Sequence, residues 1–215
     1  MRNNIKISDR FVTVGVLAFG RLLQSVLQIL TVRLLTTVLS PFEVGRFYAL
    51  ASVQGWVSLS LGAAPWLYLN RNYLEWRRSN LHGSAFGLFL GYTILLGVLT
   101  ALIGWVLLYF SVVSATILWV VTAGGLALWM IGTSLMSQTA LLVNLLGHSK
   151  IFVILRSGGM IAGLGLATWL ATYQSNLAES WIVGLGIGSV GFACVAIVIL
   201  FRLSNLKFPG SFTNR

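Results

Sequence analysis

Six long apolar stretches separated by short polar joints leave this chain few folds to choose from. They run roughly from Phe11 to Leu39, Pro41 to Leu69, Ala85 to Phe110, Ala115 to Leu146, Ile151 to Tyr173 and Leu177 to Phe201. Each exceeds the ~20 residues that carry a helix across ~30 Å of hydrocarbon. The expectation is an all-α, polytopic membrane protein. Residues 1–215 read as one lobe, a bundle of six transmembrane helices, with nothing left over for a soluble domain.

Charge separates this reading from its competitors. Only 8% of residues are charged and 57% are hydrophobic, against roughly 25% charged in soluble domains. A net charge of +10 would suggest nucleic acid in a soluble chain, but most basic residues sit at helix ends, where membrane topology accounts for them. No nucleic-acid partner is expected. The single cysteine, Cys194, lies inside the last stretch and reads as a small packing residue, since one cysteine makes neither a disulfide nor a metal pair. Arg2, Lys6 and Arg10 followed by an apolar run resemble a signal peptide. The helical pattern continues through Leu22, Leu27 and Leu34, however, so an uncleaved first membrane helix is expected.

Orientation follows from which joints hold the cations. Arg2, Lys6 and Arg10, then Arg71, Arg77 and Arg78, then Lys150 with nearby Arg156, then Arg202, Lys207 and Arg215 fall before the first stretch or after the second, fourth and sixth. The opposite joints carry little beyond Glu43, Arg46 and Glu179, with Arg33 near the end of the first stretch. The positive-inside rule places both termini in the cytoplasm of a cell whose plasma or inner membrane holds the protein.

Ser40-Pro41-Phe42-Glu43 has the form of a capping box with proline at the first helical position. The Ser40 hydroxyl accepts from the amide of Glu43, and the Glu43 carboxylate is expected to reach back to the cap amide. The joint from Asn70 to Ser84 is the longest and most polar, either an amphipathic segment touching anionic headgroups or a solvated basic loop. Small residues recur four apart at Gly87 and Gly91, Gly159 and Gly163, and Gly184 and Gly188, a spacing that permits close helix approach.

Candidate functional residues form polar stripes inside the apolar stretches. Arg21 lies about ten residues from the inner end of the first helix, ~15 Å deep and near the bilayer midplane. Arginine there costs ~2.5–3.5 kcal/mol even on the translocon scale, so it should face the bundle interior or a wet cavity unless it snorkels or glues helices. Gln24, Ser25 and Gln28 follow it at helical spacing. The second stretch contributes Gln54 and Ser58, then Pro65, whose missing amide should loosen the last turns. The fourth adds Ser137, Gln138 and Asn144. Any one of these side chains is accounted for by an interhelical hydrogen bond; three striped helices together argue for a shared hydrophilic interior.

All four acidic residues, Asp9, Glu43, Glu75 and Glu179, sit at helix ends or in joints. A proton relay, a cation site or paired acid/base catalysis would need carboxylates within the membrane. His82 and His148 lie at helix ends without metal-ligand spacing. No catalytic residue, metal or cofactor is expected, and an interior with a cation but no carboxylate suits an anionic or polyhydroxylated substrate.

The run from Arg33 to Leu50, RLLTTVLSPFEVGRFYAL, resembles the first periplasmic joint of the polysaccharide-biosynthesis flippases, in the multidrug/oligosaccharidyl-lipid/polysaccharide exporter superfamily. Leu142 to Lys150, LVNLLGHSK, leading into Arg156, resembles their joint between helices four and five. The resemblance implies translocation of a lipid-linked oligosaccharide, a polyprenyl-diphosphate glycan, by alternating access between two six-helix lobes, without enzymatic activity. It implies a cationic cavity residue meeting the diphosphate, a role that Arg21 fills by position though no motif assigns it. Family members carry twelve or more helices, whereas one lobe is present here. The expected partners are therefore the lipid-linked glycan, membrane lipids and either a second lobe or another copy, and the tail from Ser204 reads as the start of a linker. Two rival readings make different demands: a membrane enzyme of glycan assembly would show a large extramembrane loop or an acidic cluster, and a scaffold subunit would not need Arg21 or the stripes.

Overall fold

The computed structural model describes residues 2–79, 81–110, 116–174 and 177–204, with 2–11, 108, 110 and 116–119 described by their backbone alone. The linker expected after Ser204, with Lys207 and Arg215, lies outside the described residues, as do Asn80, Ala115 and the side chains of Arg2, Lys6, Asp9 and Arg10. Among the described residues the chain is all-helical. In order it forms α1 (Arg2–Val38), α2 (Pro41–Val57), a π-helical turn (Ser58–Gly62), α3 (Ala63–Arg78), α4 (His82–Phe110), α5 (Thr116–Leu145), α6 (Ser149–Tyr173) and α7 (Ala178–Ser204). Five of these, α1, α4, α5, α6 and α7, contain spans long and apolar enough to cross a membrane. The chain is a multi-pass membrane protein.

The expected second span, Pro41 to Leu69, is helical throughout but is interrupted by the π turn and extends to Arg78. The polar joint expected from Asn70 to Ser84 is thus largely helix. Leu69 and Tyr73 are buried on one side of that extension while Arg71 and Arg78 are exposed on the other, and Arg77 is exposed at its end. It continues because its buried face has partners: Leu69 and Tyr73 pack with Phe86, Leu142 and Leu200 of three other helices, and the Asn70 amide donates to Gln138 Oε1 at 2.9 Å.

The π turn has a local cause. Proline at position 65 has no amide to give the carbonyl of Leu61, four residues back, and its ring crowds that carbonyl. The helix widens at Ser58–Gly62 while the capping residues on either side stay in ordinary helical geometry. The freed Leu61 oxygen is not left bare, since the Tyr92 hydroxyl of α4 donates to it at 2.6 Å.

Packing centres on α5, whose most apolar window is 61% buried against 11% for α1. Its long contacts are with α7 and α4; α6 lies along α7, and α1 rests mainly on α6. Glycine sets the closeness of these approaches. A methyl group at Gly184 or Gly188 would overlap the backbone of Ala167 or Gly163 on α6, and one at Gly132 would collide with Ser189 and Val190 of α7. Gly163 of the α6 pair therefore meets Gly188 of the α7 pair, as small residues at membrane helix interfaces do, whereas Gly159 faces Met136 of α5. Gly87 and Gly91 have nothing within 4 Å and carry no such contact. Cys194, expected as a packing residue, is exposed on α7.

The α5–α6 joint is closed by glycine conformation. Gly147 adopts φ 90°, its amide bonds the Asn144 carbonyl at 2.9 Å, and the amide of His148 bonds the Val143 carbonyl at 3.2 Å. These are the two bonds of a Schellman motif, and they turn the chain directly into Ser149.

At the opposite end α2 and α7 are pinned together. The Ser40 hydroxyl accepts from the Glu43 amide at 3.4 Å as expected. The Glu43 carboxylate, however, does not return to the cap: Oε2 accepts from the Ala178 amide at 2.9 Å and Oε1 from Arg46 at 3.0 Å. Arg46 also pairs with the buried Glu179. The first amides of α7 lack helical partners, and an acidic side chain there is favoured by the helix dipole, so Glu43 gains more from α7 than from its own cap.

Candidate functional site

Between α1, α2, α5, α6 and α7 lies a cavity of about 530 Å³, within the size range of small-molecule sites. Its wall is mainly apolar, with polar groups at three depths. At the end nearer the α5–α6 joint stand Arg156 and Ser137; in the middle stand Gln28, Gln54 and Thr133; towards the α2–α7 pin stand Tyr48 and Trp129. The depths follow from helix rise. Arg156 to Gly163 along α6 is ~10 Å, and Trp129 to Ser137 along α5 is ~12 Å. The two helices are in register where Gly159 faces Met136.

The middle depth is loosely bonded. The Gln54 amide nitrogen is 3.4 Å from Thr133 Oγ1 and 3.7 Å from Met130 Sδ, both at the long limit of hydrogen bonding. Thr133 and Ser137 turn their own hydroxyl hydrogens to helix carbonyls at 2.7 and 3.0 Å, which leaves oxygen lone pairs towards the cavity. At the outer depth, Phe47 and Trp129 stack with ring centroids 5.8 Å apart, and Tyr48 meets Phe47 edge-on at 5.5 Å.

Of the residues singled out in the sequence, Gln28, Gln54 and Ser137 are on the cavity wall. Gln138 is buried beside it in the bond to Asn70. Asn144 is half-buried at the far end of α5, where its carbonyl serves the Gly147 turn. Arg21 and Ser25 are exposed on α1, Gln24 is half-buried there, and none of the three lines the cavity; the Ser25 hydroxyl is spent on the Arg21 carbonyl at 3.1 Å.

The cation on the wall is Arg156 instead. It is half-buried, and among the described residues no carboxylate lies within ion-pair distance of it. Arg21 stands close enough for the two guanidinium charges to act on each other, where Gly20 lets α1 settle against Val153 of α6. Arg156 belongs in sequence to the basic joint begun by Lys150, yet it lies seven residues into α6, ~10 Å from its start. That depth was the available signal, the same one that marked Arg21. The two like charges repel, and an anion between them would relieve both desolvation and repulsion.

Among the described residues no group of three or more His, Cys, Asp and Glu side chains gathers as metal ligands would. A helical bundle with five membrane-length helices and a mainly apolar, cation-edged cavity between them defines a class, the multi-pass membrane proteins with a ligand-sized cleft. Compared with known proteins, the chain matches no family model, no curated protein and no solved structure.

Proposed function

We propose that this chain is one lobe of a flippase that carries a polyprenyl-diphosphate oligosaccharide across the cytoplasmic membrane during surface polysaccharide synthesis. The observation that carries the reading is Arg156 on the wall of a mainly apolar cavity dotted with neutral polar groups, with Arg21 near it and, among the described residues, no carboxylate within ion-pair distance of either. A fixed guanidinium in low dielectric binds phosphate oxygens in a bidentate fork and recruits an anion without titrating near neutral pH. The amide and hydroxyl groups deeper in the cavity suit a polyhydroxylated head, while the polyprenyl chain remains in lipid. The protein then lowers a desolvation barrier and makes or breaks no bond.

In this reading the helical run from Pro41 through the π turn is the sixth span, and the basic joints, with both termini, face the cytoplasm. Arg21 and Ser25 are exposed on α1 within its membrane span. Polar groups facing hydrocarbon favour association, so this face supports docking with a second lobe or a second copy, and alternating access follows from two bundles rocking about the shared cavity.

Titrating the purified chain in nanodiscs with farnesyl diphosphate tests the reading. Saturable binding is expected, weakened at least about tenfold by Arg156→Gln and partly kept by Arg156→Lys. Absence of binding, or binding indifferent to Arg156, overturns it.

A further inference from the structure

Resting on that reading, we infer that the outer part of the cavity is a pyranose-binding platform, formed by Trp129 and Tyr48 with the Gln54 amide as its hydrogen-bonding arm. Three observations converge there. First, the rings belong to different helices, α5 and α2, and both reach the cavity, Tyr48 being 45% exposed. Unlike the buried Phe47 beside it, Tyr48 keeps part of its ring surface uncovered where it lines the cavity. A pyranose presents C–H bonds on one side, an apolar and slightly positive surface that fits the negative face of an aromatic ring.

Second, Trp129 is braced. It stacks on the buried Phe47, so its orientation is fixed before any ligand arrives. A rigid aromatic loses little entropy on binding, which is what makes such rings effective in recognition. Third, polar groups lie one helical turn away. Thr133 follows Trp129 by four residues on α5, and Gln54 reaches Thr133 across a bond of 3.4 Å. That bond is weak enough for the amide to turn to a sugar hydroxyl, giving an apolar face and a donor-acceptor edge together, as a pyranose requires.

The spacing orders the ligand. Ser137 lies ~12 Å from Trp129 along α5, and Arg156 ~10 Å from Gly163 along α6. An anionic group at Arg156 therefore leaves the aromatic end within reach of a group attached to it, and the hydrogen-bonding edge beside the rings suits the sugar and not the lipid tail. The platform reads the C–H face shared by many pyranoses, so it selects for the presence of a ring sugar more than for its identity.

Paired titrations in nanodiscs separate this inference from the reading beneath it. The probes are farnesyl diphosphate and farnesyl-diphospho-N-acetylglucosamine. The sugar-bearing probe should bind about tenfold more tightly to the unmodified chain. Tyr48→Ala and Trp129→Leu should each remove most of that increment while farnesyl diphosphate binds as before, and that retained binding also shows that each variant is folded. Arg156→Gln should weaken both probes. Equal affinity for the two probes, or an increment that survives both aromatic substitutions, overturns the platform and leaves the flippase reading standing. Failure of the chain to bind either probe overturns both.

Discussion

The hydroxyl of Tyr92 on α4 donates to the carbonyl of Leu61 at 2.6 Å, and that carbonyl is the one Pro65 deprives of a helical partner. A side chain thirty-one residues away in sequence thus repairs a backbone defect created by one proline. In hydrocarbon there is no water to do so, and the bare carbonyl would be costly.

Tyr92→Phe should therefore lower stability by about 1–3 kcal/mol, the penalty of an acceptor left unsatisfied where hydrocarbon and not water surrounds the helix. In a Pro65→Ala background the restored amide serves Leu61, and the same substitution should cost much less. Unfolding in mixed micelles gives both numbers. Equal costs in the two backgrounds would show that Tyr92 acts through packing alone.

Glycine at the α6–α7 contact makes a second, contrasting case. Gly188→Val pushes a branched side chain into the backbone at Gly163 and should destabilise by about 2 kcal/mol or more. Gly91→Val, on a face with nothing within 4 Å, should be nearly neutral or slightly favourable. Thermal shifts of the purified variants check the pair, and similar losses at both positions would remove the packing explanation.

Arg46 holds two carboxylates from different helices. Replacing it by alanine leaves Glu179 buried with no cation beside it, a change worth about 3 kcal/mol or more in comparable buried pairs. Arg46→Ala should lower the midpoint of unfolding, and adding Glu179→Gln to it should recover part of the loss by removing the orphaned charge. A double variant no better than Arg46→Ala would mean that the pairing contributes little.

Reporter fusions test the proposed orientation. Fusions at Asn80, Ser149 and Lys207 should read cytoplasmic, and those at Val112 and Asn176 should read periplasmic. A periplasmic signal at Ser149 is incompatible with the arrangement of spans proposed here.

Apolar length made most helices legible in the sequence, because hydrocarbon imposes one span length on every crossing segment. Val153, Gly184 and Gly188 show what that rule does not reach. Which helix a residue faces depends on how neighbours pack, and α6 takes α1 on one side and α7 on another. For the same reason Arg21 and Arg156, alike in sequence terms, differ in placement: the first is exposed on a peripheral helix, the second lines the interior. Gln54 and Ser137 were legible because each stands at helical spacing with other polar residues. Trp129 and Tyr48 were not, since an aromatic ring on a membrane helix fits core, lipid and cavity equally well. The capping box at Ser40 was half legible: local spacing gives the Ser40 bond, whereas Glu43 is claimed by an amide 135 residues away.

That distant claim on Glu43 sets a timetable for biogenesis. At roughly 5–20 residues per second, Glu43 and Arg46 are made on the order of 7–27 s before their partners on α7 leave the ribosome. The amino-terminal helices must wait, inserted but unlatched, with this cluster held at the membrane edge by water, headgroups or a chaperone. Closure of the latch then marks the arrival of α7, so a nascent chain stopped short of Ala178 would present an open end by which quality control can recognise it.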